Sequence, residues 1–134
     1  MTELASTMTP SEIASQAAHA ITVLNELTHG GGELTTPGDV RAIVGSLELI
    51  GLSLPQLCEQ LARFLVIQQE DGQLAHEAGL DTGDTVTEVI EALAAAGQAA
   101  DMMTAALAET RAASALLTPA KARGAQGKRG SDAR

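Results

Sequence analysis

The sequence predicts an all-α fold: a small bundle of about four helices with a long C-terminal helix and a disordered basic tail. The chain of 134 residues is rich in Ala and Leu, and Phe64 is its only aromatic residue. Ala and Leu favour helices, whereas strands favour aromatic and β-branched residues. Four segments repeat apolar residues at helical spacing after a capping residue. A chain of this length has room for one domain, so we expect the bundle over residues 1–117 and the tail over residues 118–134.

The first helix is predicted to begin at Thr9-Pro10-Ser11-Glu12. Thr9 can cap the first backbone N–H groups, Pro10 suits the first helical position, and Glu12 can reach back to the cap. The apolar face that follows is Ile13, Ala17, Ile21, Leu24 and Leu27. Gly30 to Gly32 should end the helix, because glycine accepts the left-handed conformation of a C-terminal cap.

A second and a third helix are predicted on either side of Gly51. Thr36-Pro37-Gly38-Asp39 resembles the first start and precedes the stripe Val40, Ile43, Val44, Leu47 and Ile50. Gly51 should end this helix, and the capping pattern Ser53-Leu54-Pro55-Gln56 should open the next, with the stripe Leu57, Leu61, Phe64 and Leu65. The turn pair Asp71-Gly72 should end it.

The fourth helix is predicted from Thr85 to about Leu117, where Thr118-Pro119 stops it. At 1.5 Å per residue it is about 48 Å long, against about 30 Å for the first helix, so it should overhang its neighbours. Either it bends at Gly97 and folds back, or its C-terminal half packs on another chain. We expect the second outcome, a homodimer whose self-association residues are Leu93, Ala100, Met103, Leu107 and Leu117.

The net charge of −9 conceals an asymmetry along the chain. Residues 1–117 carry 16 acidic and three basic side chains, whereas residues 118–134 carry five basic side chains and one acidic one. The acidic body should repel nucleic acid and anionic lipid, and the tail should attract both. The candidate phosphate contacts are Lys121, Arg123, Lys128 and Arg129.

Targeting features and cysteine usage favour a cytoplasmic protein. Cys58 is the only cysteine, so no intrachain disulfide can form. The N-terminus has neither the basic nor the apolar region of a secretory signal. No uninterrupted apolar run approaches the roughly 20 residues that span a bilayer, so we expect no membrane partner.

Motifs that resemble catalytic or ligand sites fail when their full patterns are considered. His29-Gly30-Gly31-Gly32 resembles an oxyanion loop, but the chain has no Gly-x-Ser-x-Gly nucleophile turn. Gly124 to Arg129 lacks the spacing of a phosphate-binding loop. His19, His29 and His76 lack metal-ligand spacing, and Asp81 to Asp84 lacks the pattern of a calcium loop. We therefore expect no catalytic residue, no cofactor and no metal.

The central block Leu47-Glu-Leu-Ile-Gly-Leu-Ser-Leu-Pro-Gln-Leu-Cys-Glu-Gln-Leu-Ala-Arg-Phe-Leu, followed by an Ala-rich helix, resembles short helical proteins of high-GC actinobacteria. Some of those proteins are similar to products of plasmid or mobile-element operons. The resemblance covers roughly residues 40–117 and implies no activity.

Taken together, these features favour a non-enzymatic helical accessory protein that self-associates and binds a protein partner. One alternative is a nucleic-acid-associated factor whose basic tail contacts phosphates. Another is an inhibitor whose acidic surface imitates DNA.

Overall fold

The computed structural model describes residues 7–120, and these form three α-helices and no strand. The helices are α1 (Pro10–Thr28), α2 (Pro37–Glu70) and α3 (Thr82–Ser114), with a 3₁₀ turn at His29–Gly31. The predicted all-α class is thus confirmed, whereas the predicted tail, apart from its first three residues, lies outside the described residues. Two compact units divide between Thr35 and Thr36.

The first unit contains α1, and its boundaries are those that the sequence predicts. The Glu12 N–H donates to Thr9 Oγ1 at 3.2 Å, and the Thr9 N–H donates to the Glu12 carboxylate at 3.2 Å. Gly30 and Gly31 adopt φ values of +63° and +85° just beyond the helix, a region that glycine enters without strain. No residue of α1 is buried.

The second unit begins with α2, a single helix of 34 residues where the sequence analysis predicts two. Its start is as predicted, because the Asp39 carboxylate accepts from the Thr36 N–H at 3.1 Å. The helix then continues through Gly51 and Pro55 to Glu70. The prediction that Gly51 ends one helix and that Ser53 caps another is therefore wrong.

Packing against α3 explains why α2 continues. Ser53 does not act as a cap; its hydroxyl donates back to the Leu49 carbonyl at 3.1 Å within the same helix. Gly51 is used for close approach, since a Cβ at this position would overlap the hydroxyl of Thr104 on α3. Tertiary contact thus outweighs the local cost of glycine and proline in a helix interior.

The third helix, α3, begins three residues before the predicted start and ends three residues before the predicted end. The Asp81 carboxylate caps it by accepting from the Gly83 N–H at 3.1 Å. Gly97 lies inside the continuous helix, so the predicted alternative of a fold-back at Gly97 is wrong. Leu117 lies beyond the helix end at Ser114.

Helices α2 and α3 form an antiparallel hairpin, held by contacts along its whole length. The Thr82 hydroxyl donates to Gln69 Oε1 at 2.6 Å near the turn, and Arg111 binds Glu48 at the other end. Helix α3 has 33 residues and matches α2 almost residue for residue. The expected overhang is therefore wrong, because it assumed two short helices in place of α2.

The hairpin buries little apolar surface. Among the described residues, the buried apolar side chains are Val44 and Ala100, at 8% and 6% exposure, while seventeen large apolar side chains are exposed. Two helices alone cannot enclose a core, since each covers only one stripe of the other.

Candidate functional site: an uncharged face of the hairpin

One stripe of each helix faces the other helix of the hairpin. These positions are buried or half-buried, and they recur at steps of three and four residues. On α2 they are Val44, Glu48, Gly51, Pro55, Cys58, Ala62 and Leu65. On α3 they are Ile90, Leu93, Gly97, Ala100, Thr104 and Leu107, and the series continues with the half-exposed Arg111. Glycine and small side chains in both series explain how the two helices approach so closely.

A second stripe on α2 lies one residue before each facing position, and we call it the α2 seam. It is apolar throughout and keeps the same three–four spacing across 22 residues: Ile43, Leu47, Ile50, Leu54, Leu57, Leu61 and Phe64. Ile43, Leu47 and Leu54 are half-buried beside α3. Phe64, Leu61 and Leu57 remain 58%, 49% and 48% exposed. An unbroken heptad stripe of this kind is typical of a surface that packs on another helix.

Helix α3 carries the corresponding stripe, again one residue before each facing position, and we call it the α3 seam. Its members are exposed and mostly small: Val89, Ala92, Ala96, Ala99, Met103, Ala106 and Thr110. The α3 seam contains no charged side chain, and neither does the α2 seam.

The two seams lie on the same side of the hairpin. A step back by one residue rotates the position by about 100° around a helix. Viewed along one direction, this step turns one way in α2 and the opposite way in the antiparallel α3. Starting from two stripes that face each other, it therefore leads to the same side of the hairpin. The hairpin therefore presents one uncharged face, which we call the seam face. The opposite face carries Glu59, Arg63, Glu91 and Asp101, together with the exposed Leu52.

The five residues predicted for self-association are placed differently from one another. Leu93, Ala100 and Leu107 face α2 within the same chain, and Ala100 is buried there. Met103 belongs to the α3 seam and is 41% exposed, and Leu117 is 60% exposed beyond the helix end. The structure thus brings Met103 onto the seam face and not the other four.

Sequence reasoning missed the α2 seam. Its signal was present as seven apolar residues spaced alternately by four and three positions from Ile43 to Phe64. The predicted break at Gly51 divided this series between two short helices, so its full length was not recognised. The predicted phosphate contacts, Lys121, Arg123, Lys128 and Arg129, lie outside the described residues.

The opposite side of the hairpin holds a shallow groove of about 320 Å³. Its lining includes the small residues Pro55, Cys58, Ala62 and Gly97 and the polar residues Glu59, Gln98 and Asp101. Cys58 is half-buried there as a free thiol. The groove follows from the close approach of the two helices at Pro55 and Gly97.

One ion pair links α2 to α3 in the half of the hairpin that is farther from the connecting turn. The Arg111 guanidinium donates to Glu48 from Nε at 2.6 Å and from Nη2 at 3.3 Å. Hydrogen bonding to Arg111 lowers the pKa of Glu48, and the same contact raises the pKa of Arg111. Each side chain is the hydrogen-bond and ion-pair partner of the other, so we assign this pair a structural role.

The histidine and glycine motifs have structural roles where the chain is described. Nδ1 of His76 accepts from the Ala78 N–H at 3.0 Å within the loop before α3. The Gly32 N–H donates to the His29 carbonyl at 3.1 Å, so it is used within the turn. Across residues 7–120, no group of three or more His, Cys, Asp or Glu side chains could hold a metal ion.

Helix α2 is long and apolar enough to cross a membrane by length and composition alone, with an 18-residue window of mean hydropathy 1.3. This property is not evident as an apolar run in the sequence, because polar residues interrupt the apolar residues throughout α2. Only 11% of that window is buried in the structure, and one such helix, identified by length and composition alone, is weak evidence for a membrane span.

Comparison of the chain with protein-family models, with curated proteins and with solved structures found no match.

Proposed function

We propose that this protein is a non-enzymatic interaction protein that self-associates through the seam face and binds a protein partner in the cytoplasm. The supporting observation is the pair of uncharged seams in a chain whose net charge is −9. A soluble monomer rarely exposes a wide contiguous apolar surface, because such a surface promotes association. A wide face without charge is typical of a surface that another protein covers.

The exposed seam side chains supply the driving force for association. Complete burial of a Leu, Ile or Phe side chain contributes about 1.5–3 kcal/mol. Ile50, Leu57, Leu61 and Phe64 are each about half exposed, so covering them adds roughly 1 kcal/mol per side chain. The hairpin has two buried apolar side chains within the described residues, so this gain is large relative to its own core.

The size of the seam face suits a dimer. Its length is about 30 Å, from the rise of 1.5 Å per residue, and two adjacent helices make it about 20 Å wide. Pairing two such faces covers about 600 Å² on each copy, or about 1,200 Å² in total. Stable protein–protein interfaces begin at about this area.

A second copy is a better occupant than a lipid bilayer. Residues 1–117 carry 16 acidic side chains and three basic ones, so an anionic membrane surface repels this part of the chain. An uncharged face lets two acidic chains meet where their repulsion is weakest. In the dimer the opposite face, with Glu59, Glu91 and Asp101, stays open to a further protein partner.

Light scattering on the full chain at tens of micromolar tests the proposal. We expect a dimer for the unmodified protein and a monomer for Leu57→Glu, because the variant buries a charge in the seam face. Leu52→Glu is the matched control, since Leu52 is exposed on the same helix but on the opposite face. A monomeric unmodified protein, or equal dissociation by both variants, would refute self-association through this face.

A further inference from the structure

The two seams differ in side-chain volume in a regular way. The α2 seam consists of seven large residues, whereas four of the seven α3 seam positions are Ala. Two surfaces pack densely when large side chains on one meet small side chains on the other. The α2 seam therefore complements the α3 seam better than it complements itself.

The seams are also level with each other along the hairpin. Pro55 lies beside Gly97, where a Cβ on the glycine would be 3.5 Å from the Pro55 Cα. Gly51 lies beside Thr104, and Gln69 bonds Thr82 near the turn. In each of these pairs the two residue numbers add up to about 153. A residue of α2 is therefore level with the residue of α3 whose number completes that sum.

Applied to the seams, the register pairs every large side chain with one position on α3. Leu61 is level with Ala92, Leu57 with Ala96, and Leu54 with Ala99. The remaining levels are Phe64 with Val89, Ile50 with Met103, Leu47 with Ala106, and Ile43 with Thr110. All seven members of one seam thus have a counterpart in the other.

We propose that two copies pair around a two-fold axis parallel to the helices, so that the α2 seam of each copy packs on the α3 seam of the other. This symmetry keeps both copies at the same height, so the register within one hairpin becomes the register between the two. The result is an antiparallel four-helix bundle in which large side chains of the α2 seam lie opposite Ala at four of the seven levels. This inference rests on the proposed self-association and specifies its geometry.

A two-fold axis across the helices is the competing arrangement. It would place α2 on α2 and α3 on α3, so that large side chains meet large ones and Ala meets Ala. Large side chains would hold the two α2 helices farther apart than Ala would hold the two α3 helices. This unequal spacing is unfavourable, because α2 and α3 within each hairpin stay at a matched distance. Because α2 of the two copies would be antiparallel in that case, the two arrangements are distinguishable by distance measurements.

Disulfide trapping between single-cysteine proteins tests the inference, with Cys58→Ser as the background. Mixing Leu61→Cys with Ala92→Cys should give a disulfide-linked heterodimer, while neither protein alone should cross-link. A mixture of Ile50→Cys and Leu54→Cys is the control, because these positions meet only if α2 packs antiparallel on α2. Cross-linking of the control mixture without the first would overturn the inference.

Spin-label distances in the same background give a second, independent result. Labels at Ser53 or at Glu70 should show similar distances between copies, since a two-fold axis parallel to the helices keeps every α2 position level with its equivalent. In the competing arrangement, the Ser53 labels lie close together and the Glu70 labels lie about 50 Å apart along the axis. A long Glu70 distance in a confirmed dimer would refute this geometry, whereas a monomer in light scattering would refute the self-association itself.

Discussion

Gly51 of α2 lies so close to Thr104 of α3 that a Cβ on the glycine would overlap the threonine hydroxyl and approach Met103 Cε to 3.2 Å. The hydroxyl is held in place, because it donates to the Ala100 carbonyl at 2.7 Å. The absence of a side chain at Gly51 thus sets the distance between the helices at the middle of the hairpin.

Gly51→Ala should therefore destabilise the hairpin although alanine is the better helix former. Overpacking costs about 1–3 kcal/mol, which exceeds the gain of about 1 kcal/mol in helix propensity. Gly97→Ala is the matched control, since its Cβ would make an ordinary contact of 3.5 Å with the Pro55 Cα. Urea denaturation should show a loss for the first variant and a gain of up to about 1 kcal/mol for the second.

A double variant separates the steric cause from other effects of Gly51→Ala. Thr104→Ala removes the overlapping hydroxyl, so it should recover most of the stability that Gly51→Ala loses. Equal losses in the single and double variants would show that the contact between these two residues is not the cause.

The Glu48–Arg111 pair predicts a dependence of stability on pH. The pKa of Glu48 is lowered in the folded chain, so the pair stabilises fully above the unfolded pKa of about 4.3 and loses its effect as the pH falls through the lower folded value. The pKa of Arg111 is raised, so the arginine stays charged throughout.

Glu48→Gln should accordingly lower the free energy of unfolding at pH 7, and the difference from the unmodified protein should disappear in acid. Glu109→Gln is the control, because Glu109 forms no ion pair within residues 7–120. Thermal unfolding followed by circular dichroism between pH 3 and pH 7 measures both. A difference that stays constant down to pH 3 would contradict the assignment.

The helix boundaries that depend on local chemistry could be predicted from the sequence. The caps at Thr9 and Thr36 and the glycine ends at Gly30 and Gly72 involve residues within four positions of each other. The continuity of α2 could not be predicted in this way. It depends on Thr104, which is 53 positions from Gly51 in sequence, and local rules at Gly51 and Pro55 favour a break.

The candidate site was predicted only in part for the same reason. Heptad spacing on α3 identified Met103, but it did not distinguish the stripe that faces α2 from the neighbouring stripe that stays exposed. Ala100 and Met103 are three residues apart, and one is buried within the hairpin while the other is on the seam face. That distinction requires the position of the second helix.

The capping box of α1 predicts a local effect in the first unit. Thr9→Ala removes the hydroxyl that accepts from the Glu12 N–H and should cost about 1 kcal/mol of helix stability. Amide exchange should speed up in the first turns of α1 and stay unchanged in α3. Thr22→Ala is the control, because the Thr22 hydroxyl bonds within the middle of the same helix.

The thermal stability of the full chain should depend on its concentration. A dimer that dissociates on unfolding is stabilised by mass action, so its melting temperature rises as the protein is concentrated. We expect this rise for the unmodified protein and for Leu52→Glu, and no rise for Leu57→Glu, because only Leu57 lies on the seam face. Circular dichroism melts over a hundredfold range of concentration measure it. The helix content of Leu57→Glu at low temperature shows whether the hairpin persists as a monomer. If the melting temperature of the unmodified protein is the same at every concentration, the seam face is not an interface between copies of this chain.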